Sequence, residues 1–177
     1  MSKVVYYVAA SVDNFIADAE GKVDWLHEFG SNVDYGYETF YATLGAVIMG
    51  SKTYMDIFGF GVGWVYPNVE SVVMTHRDLP RFPDAERLSF TQGDIGAVIA
   101  DLKTRTDKDI WIVGGGDLAA QAISAGVLDE IQLAVMPVVL GRGTPLFAAF
   151  DGHRSLTLTA HTVFPDGVLM LTYTLTR

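Results

Sequence analysis

The stretch that decides the fold is residues 109–118, which read Asp109-Ile110-Trp111-Ile112-Val113-Gly114-Gly115-Gly116-Asp117-Leu118. Four consecutive apolar residues, 110–113, are typical of a strand that is buried on both faces. Three glycines follow, and Asp117 then opens a run in which apolar residues recur at helical spacing. The stretch therefore predicts a strand, a glycine turn and a helix, with Asp117 able to serve as the helix N-cap.

The glycine turn has two interpretations. Glycines before a helix leave backbone N–H groups open beside the helix N-terminus, which is the usual physical arrangement for holding a phosphate. The alternative is a tight turn with close packing, and the charge of Asp117 would compete with an anion for the same N–H groups. This stretch alone does not distinguish a nucleotide site from a structural turn.

Composition limits the choice of protein class. The chain has 177 residues, half of them hydrophobic, which favours one domain with a sizeable core. A net charge of −9 and a pI near 4.7 argue against nucleic-acid and anionic-membrane partners. The chain has no cysteine, which excludes disulfides, thiolate metal sites and cysteine nucleophiles. Ser11 and Asp13 interrupt the first apolar run, so we expect neither a signal peptide nor a membrane span. We therefore expect a cytoplasmic protein.

Along the chain, strands alternate with helices until the last quarter. Strands are expected at residues 4–10, 46–49, 69–75 and 131–140, with a weaker candidate at 88–90. Helices are expected at 34–44, closed by Gly45, and at 51–57, 95–104 and 117–126, with loop at 58–68. Residues 156–164 and 168–175 alternate apolar and polar side chains around a hairpin turn at 165–167. The pattern predicts one α/β domain whose mostly parallel sheet, flanked by helices, ends in an antiparallel hairpin.

Three predicted strands end in small or polar residues, after Met49, Met74 and Val113. In an open α/β sheet the ligand lies beyond the carboxyl ends of the strands. The residues that follow these strands are Gly50, Ser51, Lys52, Thr53, Thr75, His76, Arg77, Gly114, Gly115, Gly116, Asp117 and Leu118. Together they suit the phosphates of a dinucleotide, and Arg77 suits a ribose 2′-phosphate. Singly, Lys52 and Arg77 could be ordinary solvated charges. A nicotinamide cofactor, if bound, is expected in its phosphorylated form.

Asp34 is the candidate functional carboxylate. Apolar and aromatic residues surround it in the sequence, and a carboxylate in such a place can pair through two parallel hydrogen bonds with a heterocycle. The alternative is that Asp34 only caps the helix, and Asp13 is interpreted as a turn residue.

The remaining chemistry-bearing side chains point to no hydrolytic site. The histidines are His27, His76, His153 and His161, and they show no metal-ligand spacing. No nucleophile-elbow motif occurs either, so metal-dependent and triad hydrolysis are not expected.

These motifs resemble the dihydrofolate reductase-like family, especially the stand-alone bacterial branch related to the C-terminal reductase domain of the riboflavin-biosynthesis deaminase/reductase. The matching segments are residues 9–13 with Ile16, 47–54, 112–116, 128–130 and 137–147. The resemblance implies the dihydrofolate reductase-like fold and NADPH as cofactor. It implies residues 50–53 and 114–118 at the pyrophosphate, 75–77 at the 2′-phosphate, and Val113 within the same site.

The resemblance also carries expectations about the rest of the site. It implies Ala9 and Ile16 beside the nicotinamide, a cis peptide bond between Gly114 and Gly115, Asp34 as the substrate-binding acid, and a homodimer. It implies an NADPH-dependent oxidoreductase that reduces a small heterocycle. That heterocycle is a pteridine such as dihydrofolate, or the aminopyrimidine 5-amino-6-(5-phosphoribosylamino)uracil of riboflavin biosynthesis.

The chain departs from the family pattern on the substrate side. No Lys or Arg lies between Lys52 and Arg77, where dihydrofolate reductases hold the glutamate tail, and none lies between Lys22 and Lys52. Tyr7 stands where riboflavin-pathway reductases carry a Lys, and Ala134 stands where a Thr supports the acid. These departures motivate a second hypothesis, a non-catalytic NADP(H)-binding domain that acts as a sensor or is a relic. A plain interaction domain is the third.

Overall fold

A mixed sheet of eight strands forms the centre of residues 2–29 and 33–176, the part of the chain that the computed structural model describes. The strands are β1 (Val4–Ser11), β2 (Phe15–Ala17), β3 (Leu44–Gly50), β4 (Glu70–Met74), β5 (Leu88–Thr91), β6 (Asp109–Gly114), β7 (Glu130–Met136), β8 (Thr144–Pro145), β9 (Leu156–Val163) and β10 (Leu169–Leu175). The helices are α1 (Tyr37–Ala42), α2 (Ser51–Gly59), α3 (Ile95–Arg105) and α4 (Gly116–Ser124), with a 3-10 helix at Asp24–Glu28.

The order of strands in the sheet is β5-β4-β3-β6-β1-β7-β10-β9. The pairs from β5 to β7 are parallel, and β10 is antiparallel to both β7 and β9. Strands β2 and β8 form a separate antiparallel pair. The predicted fold class, a mostly parallel α/β sheet that finishes in an antiparallel hairpin, is confirmed.

Both faces of the parallel part of the sheet are covered. Helices α3 and α4 pack over one face, on a core that includes Ile110 and Ile112. Helices α1 and α2 cover the other face, on a core that includes Val47 and Trp111. Successive residues of a strand point to opposite faces, so β6 sends Trp111 towards α1 and towards Tyr7 of the adjacent β1. Within the described residues, no helix is long and apolar enough to cross a membrane.

The first predicted helix is shorter than expected. Helix α1 follows Gly36 and covers only the middle of the predicted range 34–44. Gly45, expected to close that helix, lies within β3. A side chain at this position would collide with Thr106, so the glycine permits close packing and does not end a helix.

The segment 138–140, expected to extend β7, is irregular. The Val138 N–H donates to the Met136 carbonyl at 2.7 Å, which turns the chain away at the end of β7. The N–H groups of Leu140 and Gly141 donate to the Asp13 carboxylate at 3.1 and 2.7 Å. Asp13 therefore holds a turn in place, as expected from the sequence.

Two further corrections concern helix ends. Helix α4 begins at Gly116 with Gly115 as its N-cap, because the Gly115 backbone is extended and its carbonyl accepts a helical hydrogen bond. Asp117 lies in the first turn and is not the N-cap. Helix α2 continues through Phe58 and Gly59, which were expected in the following loop.

Candidate cofactor and substrate site

The carboxyl ends of β3, β4 and β6 open into a cavity of about 870 Å³. This volume lies within the usual range for ligand sites, roughly 300–1,000 Å³. Fourteen of the predicted cofactor residues line it: Ala9, Ile16, Gly50, Ser51, Lys52, Thr53, Thr75, His76, Val113, Gly114, Gly115, Gly116, Asp117 and Leu118. The strand-end residues predicted from sequence are therefore brought together in one place.

Two helix N-termini meet at this cavity. Helix α2 starts after Gly50 and helix α4 starts after Gly115, and neither N-cap residue makes a side-chain capping bond. The first backbone N–H groups of a helix have no partner within the helix, and the helix dipole makes this end positive. Two such ends at one cavity form a site suited to a pyrophosphate, with Asp117 as an acidic neighbour in the first turn of α4.

The glycines at these helix starts serve different purposes. A Cβ at Gly116 would come 2.5 Å from the Pro145 carbonyl oxygen, so this glycine is required by packing. A Cβ at Gly50 or Gly115 would meet no atom within 4 Å, and both residues have ordinary negative φ values, −82° and −106°. Neither the backbone conformation nor the protein packing requires glycine there. The open space fits a ligand lying directly against the backbone. We call Gly50 and Gly115, with the first turns of α2 and α4, the glycine cradle.

Arg77 is the one predicted cofactor residue that does not line the cavity. Its Nη2 donates to the Ser51 hydroxyl at 2.8 Å, so the guanidinium is held at the first turn of α2. Its backbone N–H donates to the Thr75 hydroxyl at 3.0 Å, which fixes the turn after β4. Arg77 therefore stands beside the glycine cradle, exposed and within reach of an anion bound there.

Lys52 links the first turn of α2 to the turn that follows β2. Its Nζ lies 3.1 Å from the Gly21 carbonyl oxygen and 3.0 Å from the Asp56 carboxylate. Both partners line the same cavity as Lys52 itself. The ammonium is thus partly neutralised, although it stays on the cavity wall.

Among the aromatic side chains that line the same cavity, Trp111 contacts Tyr7, Tyr37 and Tyr66, and we call these four residues the aromatic cluster. The Trp111 ring centroid lies 6.0, 6.0 and 5.5 Å from the centroids of Tyr7, Tyr37 and Tyr66. The indole N–H of Trp111 donates to the Tyr7 carbonyl at 3.0 Å. Phe40 of α1 stacks on the Tyr7 ring with centroids 4.4 Å apart. These contacts fix the cluster as a largely apolar wall in which the rings meet Trp111 mostly edge to face.

The hydroxyls of this cluster stay protonated at neutral pH. Burial, together with the smaller effects of the Asp34 and Tyr37 charges, raises the pKa of Tyr7 to about 12. Burial also raises the pKa of Tyr66 and of Tyr37 above the ordinary value. Each hydroxyl is therefore a neutral hydrogen-bond donor at the cavity.

Asp34 is exposed and is not among the residues that line the cavity. Both carboxylate oxygens lie 3.2 Å from the backbone nitrogen of Glu38, so the side chain accepts a hydrogen bond from the first turn of α1. Its charge nevertheless raises the pKa of Tyr7 and Tyr37, which places it beside the aromatic cluster. The structure shows the contact of Asp34 with the first turn of α1, and its role as the substrate-binding acid stays a prediction.

The aromatic cluster was missed by sequence reasoning. Its residues come from β1, α1, the loop after α2, and β6, far apart in the chain. One signal was available: Tyr7 and Trp111 are bulky aromatic residues with a polar atom in two strands predicted to be buried. Tyr6 shares this property and packs in the core on the other face of the sheet. Separately, no group of three or more histidine, aspartate or glutamate side chains in residues 2–29 and 33–176 is placed to hold a metal ion.

The fold and the cavity together define a dihydrofolate reductase-like domain, with the cis peptide bond between Gly114 and Gly115 that the resemblance implied. Residues 65–170 match the family model of the RibD C-terminal domain, and the chain belongs to this family. The uncharacterized protein YwjB of Bacillus subtilis strain 168 is 34% identical over 94% of both chains. YyaP of the same organism is 28% identical over 97% of this chain and 94% of its own.

Solved structures agree. A Shewanella sp. PV-4 protein, assigned provisionally to riboflavin biosynthesis, has a TM-score of 0.89 and 27% identity over the whole of both chains. The Thermotoga maritima diaminohydroxyphosphoribosylaminopyrimidine deaminase/5-amino-6-(5-phosphoribosylamino)uracil reductase has a TM-score of 0.74 and 14% identity, over 99% of this chain and 57% of that one. A pyrimidine reductase-like protein of Corynebacterium diphtheriae has a TM-score of 0.76 and 16% identity, over 99% and 92% of the chains. The last two show the fold alone.

Proposed function

We propose that the protein is an NADPH-dependent reductase that acts on a small planar heterocycle, a pteridine or an aminopyrimidine. One observation carries this proposal: a single cavity joins the glycine cradle, which suits a pyrophosphate, to the aromatic cluster, which suits a flat ring. Similarity to a protein assigned to riboflavin biosynthesis supports the aminopyrimidine among the candidate substrates.

The residues present fit the cofactor. The first turns of α2 and α4 would hold the pyrophosphate through backbone N–H groups. Arg77, anchored on Ser51, would pair with the 2′-phosphate. Ala9 and Ile16 line the cavity where the resemblance expects the nicotinamide. When bound, NADPH would supply the hydride.

The chain's own contribution to the reaction is to bind and orient the ring. The aromatic cluster offers a largely apolar surface of ring faces and edges against which a planar ring can pack and be oriented. The Tyr7 hydroxyl, protonated at neutral pH, can donate a hydrogen bond to a ring nitrogen or carbonyl oxygen. Asp34, beside Tyr7, would favour the protonated form of the ring, and this role is a prediction.

The experiment is a turnover assay with the full chain. NADPH oxidation is followed by absorbance with dihydrofolate, with simple dihydropterins and with the riboflavin-pathway aminopyrimidine. Hydride transfer to at least one of these heterocycles supports the proposal. NADPH binding without oxidation by any of them would contradict the catalytic part and leave cofactor binding standing.

A non-catalytic NADP(H)-binding protein is the second candidate. The exposure of Asp34, which lies outside the cavity lining, favours it. If this second candidate is correct, the protein should bind NADPH tightly and change its conformation or oligomeric state on binding. It should oxidise no NADPH with any of the heterocycles named above. Measured turnover with any of the heterocycles would remove it.

We also propose that the chain forms a homodimer through β9. This strand ends the sheet, all of its residues are exposed, and it contains no Asp, Glu, Lys, Arg or Pro. Such an edge is a template for pairing with another chain. A Leu158→Lys, Val163→Lys double variant should be monomeric by light scattering. Val139→Lys, at a similarly exposed position outside β9, should leave the chain dimeric by the same measurement. A monomeric wild-type chain would contradict the proposal.

A further inference from the structure

We propose, resting on the reductase function above, that the ring bound by the aromatic cluster carries no anionic group, and that Tyr7 is the residue that enforces this selection. The inference concerns the substrate class: an unphosphorylated pteridine or pyrimidine derivative and not a ribose-phosphate-bearing one. Three features of the described residues carry it, namely the geometry of the cluster, its unpaired hydroxyls and the signs of the surrounding charges.

The geometry of the cluster is fixed by contacts between its rings. The Tyr7 ring is fixed by stacking on Phe40, at an interplanar angle of 14°, and by its edge contact with Trp111 at 85°. Tyr37 closes a further side, with its centroid 6.2 Å from that of Tyr7. The Trp111 indole N–H is already donated to the Tyr7 carbonyl, so Trp111 offers only its ring surface.

Three hydroxyl groups in this part of the cavity have no hydrogen-bond partner within the described residues: those of Tyr7, Tyr37 and Tyr66. The three residues line the cavity, and the Tyr7 and Tyr66 hydroxyls are not among the fully enclosed unpaired atoms, which belong to Trp25 and Tyr41. Tyr37 is itself 36% exposed. Neutral donors of this kind match the carbonyl oxygens and ring nitrogens of pteridines and pyrimidines.

The charges near the cluster are negative. Asp34 acts on both Tyr7 and Tyr37, and no Lys or Arg of the described chain acts on either. Tyr54, outside the cavity, shows the opposite surroundings, since Arg81 lies near enough to lower its pKa against the raising effect of burial. An anion placed in the cluster would lose water, gain no cation and be repelled by Asp34.

The cavity has a place for anions, and it is elsewhere. Lys52 is the one Lys or Arg among the described residues that line it, and its Nζ is held by Gly21 and Asp56. Arg77 is likewise fixed at the first turn of α2. Lys52 lies in the first turn of α2 and Arg77 stands beside it, so both cations are at the glycine cradle, where the cofactor's phosphates would use them. A substrate phosphate would find no cation left.

The test is a binding comparison on the full chain saturated with NADP⁺, so that no turnover occurs. The probes are two matched pairs: 6-hydroxymethylpterin against pterin-6-carboxylate, and uridine against uridine 5′-monophosphate. Calorimetry or fluorescence gives the dissociation constants. We expect the uncharged member of a pair to bind at least ~10-fold more tightly, because the anion meets only Asp34 and neutral donors.

Tyr7→Lys places an ammonium beside Asp34 and should shift the preference towards the anionic member by ~10-fold or more. Tyr37→Lys makes the same test at a position on α1 that is 36% exposed and does not alter the sheet. Val12→Lys, exposed and outside the cavity lining, is the control of equal charge and should leave the preference unchanged.

Equal or tighter binding of the anionic probes by the wild-type chain overturns the inference, as does failure of every probe to bind. Unchanged preference in both lysine variants overturns the role of the cluster. These results are distinct from failure of the proposed function: oxidation of NADPH by a phosphate-bearing ring would refute the inference and leave the reductase intact. Absence of NADP⁺ binding would refute the proposed function.

Discussion

The glycine cradle and the aromatic cluster share one cavity but are built by different means. The cradle consists of backbone from two short continuous segments, and its chemistry depends on what the side chains leave empty. The cluster consists of side chains from four separate parts of the chain, held by ring contacts and one indole hydrogen bond. In the proposed function, the cradle binds the pyrophosphate of the cofactor, and the cluster selects the substrate ring. Variants that affect one part without the other therefore test the account.

Asp34→Asn should have the largest effect on turnover. Asparagine keeps an acceptor for the Glu38 N–H and so preserves α1, while it removes the charge beside Tyr7. We expect kcat to fall by ~10²-fold, in the range for loss of an acid–base group, with NADPH affinity unchanged. Steady-state kinetics and a titration of the same preparation check this. Equal losses of turnover and cofactor affinity would contradict the assigned role.

Gly50→Ala should separate the cradle from the cluster in the other direction. The added methyl group would stand in the space against which a phosphate would lie, so NADPH affinity should fall by ~30-fold, about 2 kcal/mol. Gly59→Ala, at the other end of α2 and also free of contacts, is the matched control and should bind normally. Thermal unfolding should be similar in both variants. Normal NADPH affinity in Gly50→Ala would remove the cradle from the site.

Arg77→Ala should affect only the choice between the two nicotinamide cofactors. Loss of a charge-assisted contact with the 2′-phosphate should weaken NADPH binding ~10-fold and leave NADH binding as it was. Arg87→Ala is the control, because it removes the same charge from an exposed arginine that does not line the cavity. A parallel loss for both cofactors would show that Arg77 supports the turn and does not read the phosphate.

The smallest expected effect is an alkaline loss of stability that comes from the cluster. Burial raises the pKa of Tyr7 to about 12, above its ordinary value of about 10. As pH rises through 10, the unfolded chain loses this proton while the folded chain keeps it, so the free energy of unfolding falls until the folded pKa is passed. Urea unfolding between pH 8 and about 11 should show this decline, and Tyr7→Phe should make it shallower. An equal slope in the variant would contradict the pKa of Tyr7.

The difference between the glycine cradle and the aromatic cluster also explains which parts of the site could be predicted from the sequence. The strand, glycine turn and helix at 109–118 lie within one continuous stretch, and the topology rule for open sheets brought Gly50 and Thr75 to the same edge. The ends of helices were predicted less well. Gly45 does not end a helix but permits close packing against Thr106, and Asp117 is not the N-cap of α4. The aromatic cluster could not be predicted, because its ring contacts depend on how α1 lies over the sheet. Asp34 was singled out from its apolar and aromatic neighbours in the sequence, and the family resemblance added the substrate-binding role; its exposure became visible only in the structure.

The most direct test of the central claim is a calorimetric titration of the wild-type chain with NADPH and with NADH. We expect one site per chain for NADPH. NADH should bind ~10-fold more weakly, because it lacks the 2′-phosphate that would contact Arg77. A chain that binds neither cofactor, or NADH as tightly as NADPH, would contradict it.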